Sequence, residues 1–466
     1  MNSTPKKRFF HAAGCQLLIL VGLVTSQPMW AQTADSVAYF SIKDCIEYAS
    51  NKNSNIRLAR FDERIALAQV SEVKGGALPQ ININGSLEDR LKIPVQLIPK
   101  AFTGDTSGGF IPVQFGTKYT ASLTGEITQA IINPSLWIGL KAAKSSRKFY
   151  EQTTQRVSEQ TAYSIANAYY QIIVAQKRLL LLESNLASTQ KLLTNTELQL
   201  QNGVAKRVDV NRLKVNANNL QSQIKQAQLS LEQAFNNLKF QMGMSLENRI
   251  ALIDTALTFK QEDAITEESG GNFFENRIDY KILETNLELQ DLDRRNQRSG
   301  YYPTLSAYGN YSYQAQRQTF NFFEGGQPWF QSSAIGLRLN IPIFDGLQRN
   351  ARVQQARLNV EKVKENMNLT KLTVSREVNN AVTQYRNTLQ RIGSEQQNVQ
   401  LAQEVYGVTQ LEFREGVSTS SDVVNAETSL REAQNNYITT LLDLYIARLD
   451  LERAKGNILP YLNSAK

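Results

Sequence analysis

The sequence predicts a mostly α-helical chain built as two structural repeats, each pairing a long helical hairpin with two amphipathic β-strands. Three observations carry that prediction. Pro134 to Phe240 contains no further proline, and no glycine lies between Gly139 and Gly203. Within the run, Leu179, Leu182, Leu186, Thr189, Leu193, Thr196 and Leu200 recur at spacings of three and four, a heptad seam for helix-on-helix packing. Elsewhere the period is two: Ile81, Ile83 and Leu87 alternate with Asn82, Asn84 and Ser86. Finally the chain repeats itself, since Gly416-Val-Ser-Thr-Ser-Ser-Asp-Val423 echoes Gly203-Val-Ala-Lys-Arg-Val-Asp-Val210.

Taken in order, Lys6, Lys7 and Arg8 precede the apolar run Leu17 to Val24, and Ala31 is a small residue ahead of Gln32. Residues 1–31 are therefore read as a secretory signal peptide cleaved near Ala31. Its removal takes the formal charge from +8 to +5, with the basic positions spread along the helices instead of gathered in a patch. No nucleic-acid partner is expected. The only histidine, His11, leaves with the signal, and Cys45 is then the only cysteine. Zinc sites and most acid–base or nucleophilic catalysis draw on those residues, so neither a metal, a cofactor nor an enzyme activity is expected.

The first repeat is assigned to residues 32–243. It opens with amphipathic helical pieces over residues 40–76, with Ile42, Cys45, Ile46 and Ala49 on one face and an interruption at Asn51 to Asn55. Cys45 is read as a core residue. Pro79 starts the first strand, and residues 91–117 form a Pro- and Gly-rich loop before Tyr119, Ala121, Leu123 and Ile127 resume the alternation. Pro134 opens the helical hairpin. Gly203 suits the left-handed end of its first helix, and Asp209 suits the start of its second as a cap or as a charge facing the helix dipole. Residues 244–272 lack periodicity and serve as a connector with at most a short strand or helix.

Residues 273–456 repeat the layout, leaving 457–466 as a C-terminal tail. Gly300-Tyr-Tyr-Pro-Thr-Leu-Ser-Ala-Tyr-Gly309 echoes Gly76-Ala-Leu-Pro-Gln-Ile-Asn-Ile-Asn-Gly85 at an offset of 224, and later echoes fall at 212 and 213. The difference lies in the first strand-to-strand loop, where insertions are tolerated. Leu305, Ala307, Tyr311 and Tyr313 mark one strand; Ile335, Leu337, Leu339 and Ile341 mark the next, with residues 315–331 between them. Tyr301, Tyr302, Phe320, Phe322, Phe323, Trp329 and Phe330 gather at the strand ends, as aromatic residues do at water–lipid interfaces. The second long helix is expected from Leu347 to Glu415. Gly393 and Gly407 inside it allow a bend or a close neighbour, or simply weaken the helix.

Four such strands cannot close a membrane barrel, whose smallest forms use about eight. An open edge in lipid leaves backbone groups unpaired. Strands that cross a membrane therefore require an oligomer, and periodicity alone does not choose between two copies and three. A coiled-coil scaffold or adaptor without a pore, secreted or periplasmic, is the alternative, and would be extractable without detergent.

The chain resembles the TolC family of outer membrane efflux channels over essentially its whole length after the signal. The resemblance rests on Phe40-Ser-Ile-Lys-Asp-Cys-Ile-Glu-Tyr-Ala49, on the Leu78-Pro79 and Tyr302-Pro303 joints, on Ile341-Pro342-Ile-Phe-Asp-Gly346, and on the two Gly-Val tips with their Asp-Val echo. It implies a homotrimer with a twelve-stranded β-barrel in the outer membrane and an α-barrel crossing the periplasm. It also implies docking onto a periplasmic adaptor and an inner-membrane pump. Gly203, Val204, Gly416 and Val417 would be the docking end, on the expectation that helix tips present unpaired backbone groups to a partner. Asp422 matches an acidic residue that narrows the pore in this family, and Asn425 replaces a further acid. Phe413 and Ser418 stand where a tyrosine and an arginine tie neighbouring hairpins together. Drug efflux and protein secretion share this fold.

Overall fold

The computed structural model describes residues 37–104, 108–253 and 272–464. The signal-peptide assignment, most of the connector and the last two residues lie outside them. The elements in order are β1 (Ala38–Phe40), α1 (Ile42–Lys52), α2 (Ser54–Gly75), β2 (Gln80–Asp89), β3 (Val95–Pro99), β4 (Phe110–Gln114), β5 (Tyr119–Ile132), α3 (Pro134–Gln201) and α4 (Arg207–Met242). After them come β6 (Ile250–Leu252), α5 (Ile278–Ser299), β7 (Thr304–Arg317), β8 (Phe330–Asn340), α6 (Gln348–Arg414), α7 (Ser420–Ala454) and α8 (Ile458–Ser464).

Both repeats run helix, strand, strand, long helix, returning helix. The long members have 68 and 67 residues, about 100 Å each at about 1.5 Å per residue. Glycine at positions 393 and 407 neither breaks α6 nor admits a close neighbour, because a Cβ built at either position meets nothing within 4 Å. α3 packs against α4 and α6 against α7, while α2 lies on α3, and α5 lies against both α3 and α6.

The main sheet is antiparallel in the order β2-β5-β7-β8, so the pairing of β5 with β7 joins the two repeats. Its register puts Ile83 opposite Gly125, Ile81 opposite Ile127, Ile127 opposite Gly309, and Gly309 opposite Ile335. Because side chains alternate across a strand, this alignment gathers the apolar positions of all four strands on one face. Most of that face is uncovered within the chain: Ile83 is 72% exposed and Ile335 92%. The opposite face is polar, with hydroxyl bonds from Ser86 to Ser122 and from Thr124 to Ser312, each 2.8 Å.

Three parts of the structure differ from the sequence expectation. The loop 91–117 carries its own hairpin, β3 with β4, interrupted at its tip by a short 3-10 turn from Lys100. β6 is a short strand such as the connector allowed for, but its parallel pairing with β1 was not expected from three-residue strands. The C-terminal tail is a helix, and it buries Ile458 and Leu462 in the core shared by α1, α3, α4 and α7. Cys45 lies in that core as expected, and burial pushes its thiol up to about 12.

Gly243 fixes how this core closes. It ends α4 at φ +72°, and a Cβ there would stand 2.7 Å from the Lys52 carbonyl oxygen and 2.9 Å from Asn53 Cα. The α1–α2 elbow therefore sits on bare backbone, held by Asn53 Nδ2 donating to the Gln241 carbonyl at 2.6 Å. Gly243→Ala combines a left-handed backbone with a clash against backbone atoms that cannot move aside, so it should cost more than about 1 kcal/mol per chain. Thermal melting checks this: a clearly lower midpoint is expected, and an unchanged one contradicts the packing described.

Candidate functional site

The helical tips and the sheet are the two ends of the molecule that present unpartnered groups. At the tips the two repeats use one turn. Gly203 and Gly416 take φ +77° and +78°. Val204 donates to the Gln199 carbonyl and Val417 to the Glu412 carbonyl, both at 2.8 Å, while Gly203 and Gly416 donate three residues back. These are Schellman closures, in which the tip amides are already satisfied. The expectation that Gly203, Val204, Gly416 and Val417 offer unpaired backbone groups is corrected accordingly. What projects is apolar: Val204 is 77% and Val417 78% exposed.

The helices leaving the two tips start differently. α7 begins with a capping box, in which Asp422 Oδ2 accepts from the Thr419 amide at 2.9 Å and from Thr419 Oγ1 at 2.6 Å, and the Asp422 amide donates back to Thr419 Oγ1 at 3.3 Å. The Thr419 hydroxyl first, and its amide second, hold the exposed Asp422 carboxyl below its ordinary value. Asn425 is exposed one turn further along α7, on the same side of the helix. α4 has Lys206 at its N-cap with no side-chain bond, so Asp209 is not the cap expected of it. Its carboxylate sits in the first turn of α4, facing the dipole, and accepts instead from Ser420 Oγ of the other hairpin.

Below the turns the tips share a core of Leu192, Leu193, Val210, Leu213, Tyr406, Val423, Ala426 and Leu430. Phe413 packs against this core, and Ser418 Oγ donates to the Thr409 carbonyl of its own hairpin. These two make no bond between hairpins within the chain. One tie between the hairpins, Ser420 with Asp209, joins positions that the sequence repeat aligns only approximately, and nothing in their spacing reveals it.

At the other end the four prolines mark the joints. Pro79 and Pro303 each precede a strand, Pro134 is the first residue of α3, and Pro342 follows β8. The last joint is the most constrained. Gly346 and Leu347 both take positive φ, and Asp345 bonds the Arg349 amide at 3.0 Å and pairs with its guanidinium at 2.8 Å. Arg349 also reaches the Gly300 carbonyl at 2.9 Å, which clamps α6 to the end of α5. Beyond the opposite strand ends, Phe322 is buried against Ala121 and Ala315, and Arg317 bonds the Pro328 carbonyl at 2.6 Å. Part of the aromatic cluster thus packs the connecting loop, while Phe323 and Phe330 stay exposed.

A sheet with one apolar face joined end-on to long helical hairpins defines a class: a chain with a membrane-facing end and a helical stalk. The sequence model for "Outer membrane efflux protein" matches residues 274–457. "Outer membrane protein TolC" of Salmonella enteritidis is 20% identical over 453 residues, covering 95% of this chain and 86% of that protein. "Probable efflux pump outer membrane protein TtgC" of Pseudomonas putida is 21% identical, covering 89% and 83%. Among solved structures, that of CusC superposes with a TM-score of 0.71 at 17% identity, covering 90% of this chain and 93% of that one. The chain is thus similar to outer membrane efflux proteins over residues 274–457 and to TolC over nearly its whole length.

Proposed function

We propose that three copies of this chain close into one outer membrane channel, the exit duct of a tripartite efflux or type I secretion system. Such a duct conducts substrates passively from a periplasmic adaptor and an inner-membrane pump to the outside. The observation that carries this reading is the sheet: β2 and β8 are both open edges, and the face bearing Ile83 and Ile335 is largely apolar and uncovered apart from the end where Phe322 lies on Ala121 and Ala315. In lipid the face is satisfied, but each unpaired edge group costs several kcal/mol, so the edges must meet other chains. Two copies would give a barrel of about eight strands, whose interior side chains fill or leave room for one small ligand. Three give twelve, which leaves a lumen lined by the polar face of Ser86, Ser122, Thr124 and Ser312. A soluble scaffold would instead hold Ile83 and Ile335 in water.

The helical stalks then extend into the periplasm, and Val204 and Val417 form an apolar docking end for the adaptor. Symmetry repeats Asp422 and Asn425 around the axis at the narrow end, and Asp422 serves the capping box and the pore together. Carboxylates facing a constriction with low-dielectric walls favour cations. Passive conduction asks for no catalytic group and no cofactor.

The function is tested in planar bilayers. The purified protein should form cation-preferring channels, and Asp422→Asn, which keeps a capping oxygen, should weaken that preference and the block by multivalent cations while the trimer stays intact. A variant that selects like the parent removes Asp422 from the pore.

Orientation and docking are tested in cells. Protease added outside should cut within residues 91–117 or in the turn 318–329 between β7 and β8, and spare the tips. Aspartate at both Val204 and Val417 should abolish efflux with channel formation in bilayers unchanged. Efflux that survives the double substitution places the adaptor elsewhere.

A further inference from the structure

The polar face of the sheet carries a cation on an aromatic ring, which its hydroxyl lining does not explain. Tyr308 of β7 stands opposite Gly336 of β8, and Ser306 stands opposite Arg338. Tyr308 and Ser312, like Arg338 and Ser332, are separated by an even number of positions, so all four share the polar face. The neighbouring Tyr311 and Tyr313 pack on one another on the apolar face. Tyr308 is therefore not one of the aromatic residues that anchor a strand in lipid. The Arg338 guanidinium carbon lies 5.1 Å from the centroid of its ring, within reach of a cation–π contact.

Gly336 makes the stack possible. A Cβ there would stand 2.9 Å from Tyr308 Cζ and Oη and 3.0 Å from Cε1, so the ring lies against bare backbone of β8. Arg349 and Arg448 also lie over tyrosines, but each is paired with a carboxylate four residues away, Asp345 and Glu452. Arg338 is exposed and has no such carboxylate among the described residues, which leaves its donor edge free. It is also the only cation among the strand residues of this face, whose acids are Glu88 and Glu126. β8 ends at Asn340, so Arg338 lies at the helical end of the sheet, with both acids further from the helices.

We infer that Arg338 and Tyr308 form a binding site in the lumen for planar aromatic anions, that is, carboxylates or sulfonates carried on a flat ring. This rests on the channel reading of the chain and names a substrate class for it. The guanidinium offers parallel N–H donors to the anionic group, and its open face, backed by Tyr308, stacks the ring. Both partners come from one chain, so three copies present three such sites around the inner end of the barrel. An anion disfavoured by Asp422 at the tips meets an opposite charge there as it enters the barrel. Gly336 acts only by positioning the ring.

The test is block of single-channel current by naphthalene-1,5-disulfonate added from the barrel side, with ethane-1,2-disulfonate as a probe of equal charge and no ring. The naphthalene probe should block the full-length parent at concentrations where the ethane probe has little effect. Arg338→Gln should weaken that block roughly tenfold, the size expected for hydrogen bonds to a charged group. Tyr308→Leu removes the ring and Gly336→Ala only displaces it, and each should weaken block about threefold, with block by multivalent cations unchanged. Equal block by both probes, or parent-like block in Arg338→Gln, overturns the proposal. If Arg338→Gln does not assemble, Tyr308→Leu and Gly336→Ala decide in its place, and parent-like block in both overturns it. A parent that conducts without being blocked overturns this proposal alone, whereas a parent that forms no channel removes the channel reading itself.

Discussion

The constraint on which the rest of the structure depends is the backbone of two edge strands. β2 and β8 each present a row of amide and carbonyl groups with no partner among the described residues, beside a face of isoleucine, leucine and tyrosine that the chain leaves uncovered except where Phe322 lies on Ala121 and Ala315. In water such an edge is a template for aggregation. In lipid it is tolerable only when closed. Two halves of one chain supply four strands to the main sheet, with the β5–β7 pairing as the seam, so in the channel we propose closure comes from further copies.

Once the sheet is fixed in a membrane, the helices inherit their geometry from it. Pro134 turns β5 directly into α3, whereas β8 reaches α6 through Gly346 and the positive-φ Leu347, braced by Arg349. A small departure at such a joint is carried along about 100 Å of helix, which explains why the joint is clamped by ion pair and hydrogen bond together. At the far end the two repeats keep one turn and diverge at the start of the returning helix. The second commits its acid to the capping box; the first turns Asp209 toward the neighbouring hairpin. The two repeats share the backbone turn and differ in the side chains around it.

The sequence disclosed elements with strong local signals. The long helices end within about a residue of their expected limits, because left-handed glycines at 203 and 416 are local necessities. The four main strands were legible from alternation, and Cys45 from its helical face. Elements set by distant partners were not. β1 and β6 hold one another across more than 200 positions in three-residue strands, and the prolines of the β3–β4 hairpin, Pro99 and Pro112, speak against a strand. At the tips, the glycines were recognised but the destination of their neighbours' amides was misjudged, since a Schellman closure satisfies them internally. Tyr308 and Arg338 carry no motif; only the fold shows that they meet.

The central claim is that lipid-facing edges are closed by copies of the same chain, and the mass of the detergent-extracted protein tests it most directly. Native mass spectrometry should find three chains in one particle that requires detergent to stay in solution. A monodisperse single chain, soluble without detergent, would contradict the account at its base.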